Sequence, residues 1–222
     1  MCSGRGPCEL EMDRPWIDTS IPFSSNKDEL AVRCFEAVEG AHALLFCRSE
    51  NIPRKHAVMM QLRFDGMWGF PGGLVHENVV DGLNRELDEE IGLDRKYHLI
   101  TDDYYGTWTH PMEGRGSSKL ILHFFVKEFS EESFFEIERD SLKAKDWGSE
   151  TLALIRVPIQ NDESLGNFFS QRFIGNAREQ LIRVLLDYDI LSLDEVERAW
   201  EIFQRLSTLS TKLDKNMKLC NI

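Results

Sequence analysis

The sequence predicts a mixed α/β domain, and three observations carry that expectation. Apolar runs of strand length alternate with segments of helical period, and the helical segment at 78–92 has a cap signal at each end. The composition allows one packed core: 222 residues and 25.7 kDa, 42% hydrophobic and 29% charged, with a mean hydropathy of -0.34.

Taken in order, residues 1–28 mix Gly, Pro, Ser and charge without strand or helix period, and are expected to form a mobile or loosely docked arm. Residues 41–47 (AHALLFC) and 56–63 (HAVMMQLR) are apolar enough for buried strands, with a polar, basic loop between them. A turn at Asp65-Gly66 leads to Trp68-Gly69-Phe70-Pro71-Gly72-Gly73, where the glycines imply a close approach to the main chain. Over 78–92 the period turns helical: Val80, Leu83, Leu87 and Ile91 form a stripe, Asn78 is the N-cap, and Gly92 is placed to end the helix. Strands are expected at 97–109 and 119–127, a helix at 130–146, and a strand at 151–157 stopped by Pro158. A helix at 169–187 and a last one opened by a Ser192/Glu195 capping box and running to about 212 complete the chain. The expected division is an arm at 1–28, a central domain at 29–190 and a C-terminal helical extension at 191–222.

Several function classes are disfavoured. Twenty-six Lys plus Arg against 38 Asp plus Glu give a net charge of -12, so contact with a polyanion must be local, with Arg48, Arg54, Lys55, Arg172 and Arg178 as a basic rim. The five cysteines, at 2, 8, 34, 47 and 220, form no C-x-x-C pair, which points to reduced intracellular thiols rather than to disulfides or structural zinc. The N-terminus lacks a signal peptide's apolar core, and no apolar run approaches the ~20 residues that span a bilayer, so no membrane partner is expected.

The chemistry concentrates on the 78–92 helix. At 100° per residue, Glu86, Glu89 and Glu90 fall within an arc of about 100° beside the apolar stripe. Glu86 and Glu90, like charges at i,i+4, destabilise an isolated helix by roughly 0.2–0.5 kcal/mol, a sign that a bound cation reverses. Oxygen-only ligands of this kind suit Mg²⁺ or Mn²⁺. On charge count alone the same pattern also reads as a solvated acidic face.

The context decides between these readings. Arg85-Glu86-Leu87-Asp88-Glu89-Glu90-Ile91-Gly92-Leu93 resembles the second half of the Nudix box, G-x5-E-x7-R-E-U-x-E-E-x-G-U, where U is aliphatic. Glu77 keeps the x7 spacing to Arg85, but the step from Gly73 to Arg85 is two residues shorter than the pattern. The likeness narrows to the U8 snoRNA-decapping Nudix enzymes. Its blocks are 41–45 (AHALL), 60–66 (MQLRFDG), 69–73 (GFPGG), 81–87 (DGLNREL), 144–146 (AKD), 154–158 (LIRVP) and 173–181 (FIGNAREQL), in the family's order.

The resemblance implies a Nudix α/β/α sandwich with a mixed central sheet and hydrolysis of pyrophosphate linkages in capped RNA or purine nucleotides. It also implies Mg²⁺ or Mn²⁺ held by Glu86, Glu89, Glu90 and the Gly72 carbonyl, with Glu89, Glu90 and Glu150 catalytic. His42, Arg63, Phe70 and Gln180 would bind substrate. Their chemistry agrees: Phe70 offers a ring to stack on, and the other three offer hydrogen-bonding groups. Trp108 and Trp147 stand where the family has histidines, although His110 follows on the same face of the strand. A homodimer in the nucleus, nucleolus and cytoplasm is implied as well. The first expectation is therefore decapping of nuclear RNA. The alternatives are housecleaning hydrolysis of inosine-type diphosphates and a catalytically dead binding module like the family's syndesmos members, which have lost metal-site glutamates.

Overall fold

The computed structural model describes residues 14–31, 37–52, 55–111 and 119–220, with the side chains of 211–220 excepted. Arg54 and the first 13 residues of the arm lie outside the described residues.

The central strand is β2 (Ala37–Arg48), which follows a two-residue β1 (Phe23–Ser24). It runs parallel to β7 (Lys119–Phe129), and β7 pairs antiparallel with β6 (Tyr104–Pro111), which in turn carries β1. On its other side β2 pairs antiparallel with β3 (His56–Arg63) and with β5 (Gly72–Leu74). Antiparallel β4 (Trp68–Gly69) and β8 (Thr151–Arg156) complete the sheet on β3. The sheet is therefore mixed.

Alternation along β2 builds two cores. Ala41, Ala43 and Leu45 face a cluster with Val79, Leu83, Leu87 and Ile91 of α1 (Val79–Ile91) and Phe134 and Ile137 of α2 (Glu131–Asp140). Leu44 and Phe46 face the opposite cluster. There they meet Leu165 and Phe168 of α3 (Asp162–Phe169), Leu181 and Leu185 of α4 (Ala177–Asp187) and Val196 and Trp200 of α5 (Leu193–Cys220). Helices cover both faces, and the architecture is the expected α/β/α sandwich.

The α1 helix forms where its signals place it. The Asn78 side chain accepts the amides of Val80 and Asp81, and Gly92, at φ 63°, donates back to Leu87 and Asp88. Elsewhere the elements shift. The strand expected from 97 begins at Tyr104, after two 3-10 turns. Local carboxylates compete with the ladder there, Asp94 accepting the Lys96 amide and Asp103 that of Ile100. The expected 130–146 helix ends at Asp140 and tightens into a 3-10 turn. Of the expected 169–187 helix only 177–187 forms, as α4; Phe169 is the last residue of α3, which was not expected, and residues 170–176 lie outside both. There the Trp68 amide donates to the Arg172 carbonyl and the Ile174 amide to the Trp68 carbonyl, so tertiary hydrogen bonds displace helical ones.

The described part of the arm is seated rather than loosely docked. Trp16 is buried edge-on against Trp200, and Arg14 pairs with Glu197 at 2.6 Å. Burying an indole removes about 150–250 Å² from water, enough to dock a segment that has no strand or helix period.

Candidate active site

One cleft of about 610 Å³ opens where β2, the end of β3, the glycine turn, α1 and the start of α4 converge. All nine sequence-predicted residues line it: His42, Arg63, Phe70, Gly72, Glu86, Glu89, Glu90, Glu150 and Gln180. Asp146 and His110 join them.

The glycine turn shapes the deep end. Gly72 has φ 130°, and a side chain there would run into the β2 backbone at Ala41. A Cβ at Gly73 would lie 2.5 Å from a Glu86 carboxylate oxygen, so the absence of a side chain makes room for that acid. Glu90 is 3% exposed, and one of its oxygens accepts the Gly72 amide at 2.7 Å and Gln61 Nε2 at 3.1 Å. Gln61 is held in turn by the Thr151 hydroxyl at 3.0 Å. Burial pushes the Glu90 carboxyl up to about 7, against the two hydrogen bonds, with the charges of Glu86 and Glu150 adding to the rise. Burial raises Glu86 as well.

Arg85 collects the acids at the rim. Its guanidinium reaches Glu77 at 2.8 Å, Glu86 at 2.7 Å and Glu89 at 3.1 Å. Glu77 thus meets Arg85 although the preceding loop is two residues short, and the hydrogen bond from Arg85 is the main reason its carboxyl drops to about 2. Glu89 also takes Lys145 at 2.7 Å, which lowers its pKa. Among the described residues no three His, Cys, Asp or Glu side chains already converge on one point. The donor set nonetheless fits a hard divalent cation: carboxylate oxygens only, a cradle at Gly73 that a Cβ would fill, and two acids raised by burial that a cation would relieve. Glu86, Glu89 and Glu90, with the Gly72 carbonyl, are the residues that would hold it.

The opposite end is built for a different group. His42 is kept neutral, its pKa lowered to about 4 by burial and by the nearby Arg63 charge. Arg63 pairs with Asp65 at 3.2 Å. Gln180 is buried at the start of α4. Phe70 differs from the expected stacking platform: it is 2% exposed and packs edge-on against Phe124 at 4.9 Å, which makes it part of the floor. The ring open to a ligand is Phe64, 59% exposed on the lining, with the Arg63 guanidinium 5.5 Å from its centroid. Its amide donates to the Glu150 carbonyl at 3.0 Å, which ties this ring to the loop carrying Glu150. The sequence signal for Phe64 was its place directly before the Asp65-Gly66 turn, where a side chain leaves the sheet.

Trp108 is fully buried core, whereas His110 lines the cleft. Trp147 lies outside the lining while its neighbour Asp146 belongs to it. Among the described residues the basic rim does not assemble: Arg48 pairs with Glu128 and Lys55 with Glu50, and neither they nor Arg172 and Arg178 line the cleft. Arg63 is the cationic side chain among five lining carboxylates, Glu86, Glu89, Glu90, Asp146 and Glu150.

Comparison with known proteins follows the same outline. The sequence model of the Nudt16-like family, described as U8 snoRNA-decapping enzyme-like, matches residues 39–191. The U8 snoRNA-decapping enzyme of Xenopus laevis is 34% identical over 180 residues, covering 74% of this chain and 82% of that protein. That of Homalodisca vitripennis is 41% identical over 133 residues, covering 56% and 68%. The Tudor-interacting repair regulator protein of Homo sapiens is 35% identical over 156 residues, covering 65% and 71%.

Proposed function

This chain belongs to the Nudt16-like family of U8 snoRNA-decapping enzyme-like proteins and is a Nudix hydrolase, and from that premise we propose that it removes the cap from nuclear and small nucleolar RNA in a reaction dependent on Mg²⁺ or Mn²⁺. One observation carries the metal dependence: five carboxylates and one arginine line the cleft, so a pyrophosphate entering without a cation meets net repulsion. A bound divalent ion lowers the pKa of a coordinated water and neutralises charge on the phosphates.

The chain's own groups divide the remaining work. Arg63 takes phosphate charge, and neutral His42 and Gln180 address the polar edge of the base while Phe64 lies against its face. Arg85 orients Glu86 and Glu89 through 2.7 Å and 3.1 Å contacts. Glu150 is exposed at the mouth and takes the proton of the attacking water. Location in the nucleus, nucleolus and cytoplasm and assembly as a homodimer belong to the same proposal.

The net charge of -12 and the pairing of Arg48 and Lys55 with acids away from the cleft favour a second reading, hydrolysis of inosine-type nucleoside diphosphates, which needs the cleft but no RNA track. Turnover of capped RNA, inosine diphosphate and unmodified nucleotides side by side, with and without metal, tests both readings. Capped RNA turned over with the higher kcat/KM supports decapping, and the reverse order supports the second reading.

A further inference from the structure

The buried run 57–61 of β3 reads Ala-Val-Met-Met-Gln, and its polar side chain, Gln61, is fully buried. An amide in such a place costs stability unless both of its ends are met. Both are met by the surroundings of the site: Nε2 donates to Glu90 at 3.1 Å, and Oε1 accepts the Thr151 hydroxyl at 3.0 Å. Thr151 is fully buried as well, and it directly follows Glu150.

An amide has two orientations, related by a half-turn about its last bond, that exchange donor for acceptor. One offers an N–H to the Glu90 carboxylate, and the other sets oxygen against oxygen. The Thr151 hydroxyl, by donating to Oε1, selects the first. Glu90 then has two donors on one oxygen, Gln61 and the Gly72 amide, and two donors restrain the turning of a carboxylate about its last bond more than one does. The turn that carries Glu150 is tied to the same elements. The Asp146 amide donates to the Glu89 carbonyl at 2.9 Å, the Glu150 amide to the Asp146 carbonyl at 3.0 Å, and the Phe64 amide to the Glu150 carbonyl at 3.0 Å. A path of three buried side chains thus joins Glu90, through Gln61, to the residue next to Glu150.

We propose that Gln61 and Thr151 are positioning residues of the metal-dependent reaction. Thr151 sets the orientation of the Gln61 amide, and Gln61 sets the plane of the Glu90 carboxylate, so that the Glu90 oxygen facing the cleft and the turn bearing Glu150 share one frame. Neither residue lines the cleft, and both act through the groups they hold. The proposal rests on Glu90 being a metal ligand.

Mn²⁺ titration, followed by the electron paramagnetic resonance of the free ion, tests it in Thr151→Val, Thr151→Ser and Gln61→Leu, together with turnover of capped RNA and inosine diphosphate at saturating Mn²⁺. Thr151→Val and Gln61→Leu should each lose about tenfold in Mn²⁺ affinity and in kcat, while KM changes by less than about twofold. Thr151→Ser restores the hydroxyl and should restore both quantities. A further readout needs no variant of either residue: on addition of Mg²⁺ to the wild type, the side-chain NH₂ resonances of Gln61 should shift. A folded Thr151→Val protein with wild-type Mn²⁺ affinity and kcat, a Thr151→Ser protein as impaired as Thr151→Val, or Gln61 resonances unmoved by bound Mg²⁺ would each overturn the proposal. If Glu90→Gln loses Mn²⁺ while the Gln61 and Thr151 variants keep it, the positioning roles are wrong and the metal site stands. If the wild type binds no Mn²⁺, both are wrong.

Discussion

The buried carboxylate of Glu90 accepts the backbone amide of Gly72 at 2.7 Å, so the helix that bears the acids is fastened to the turn that makes room for them. Gln61 donates to the same oxygen at 3.1 Å, leaving the second oxygen of Glu90 for the cleft. This arrangement holds an acid with a pKa near 7 inside the fold, and it sets the site's requirement for charge against the protein's stability.

The first prediction concerns the metal-free protein. The Glu90 pKa rises from 4.5 unfolded to about 7 folded, so the folded state binds the proton more tightly. Its contribution is full below about 4.5 and is lost as pH climbs through about 7, a change of roughly 3 kcal/mol at 1.36 kcal/mol per pKa unit. Urea unfolding in EDTA at pH 5 and pH 8 should show this fall in the wild type. Glu90→Gln, whose amide oxygen still accepts from Gly72 and Gln61, should lack it and be the more stable protein at pH 8. Equal pH dependence in both proteins would count against the buried-acid assignment.

Millimolar Mg²⁺ or Mn²⁺ should raise the melting temperature at pH 7.5. At a metal concentration of 100 Kd the gain is about 2.7 kcal/mol, or roughly 5–10 °C for a chain of this size. Glu86→Gln should remove most of the shift, and a shift unaltered by that change would place the metal elsewhere.

Phe64 and Phe70 separate binding from folding. Phe64→Ala alters an exposed ring and should weaken base-dependent binding by ~1–3 kcal/mol with little change in melting temperature. Phe70→Ala empties a core position and should cost about 3–5 kcal/mol of stability. A reversed pattern in denaturation and nucleotide titration would return the stacking role to Phe70.

Gly73→Ala and Gly72→Ala should fail differently. The Cβ at 73 meets the mobile end of Glu86, so the protein should stay folded and lose at least about tenfold in metal-dependent turnover by displacing a ligand. At 72 the Cβ meets β2 backbone at a positive φ, and the loss should appear as lower soluble yield and melting temperature.

The acid helix was legible because its information is local. Asn78, Gly92 and the apolar stripe fix where α1 starts, stops and faces, and that places Glu86, Glu89 and Glu90 without knowledge of the rest. The α3 helix went unread: Asn161 caps it, its side chain accepting the Ser164 amide with Asp162 and Glu163 in the first turn, but Gly166 in its interior disguised it. That glycine packs against the α5 backbone at Ala199, a contact that only the assembled fold reveals. The break at 170–176 depends on partners at Trp68, about a hundred residues earlier in the chain. The exposure of Phe64 and the burial of Phe70 likewise depend on tertiary contacts, Phe70 packing on Phe124 of β7, and their similar local contexts, each just past the end of a strand, hid the difference.

Release of the cap nucleotide from cap-labelled RNA, by wild type and by Glu90→Gln in Mn²⁺ and in EDTA, tests the central claim most directly. The expected result is release by the wild type in Mn²⁺ alone, with Glu90→Gln folded and slower by at least about 10²-fold. Metal-independent release, or wild-type turnover by a folded Glu90→Gln protein, would contradict it.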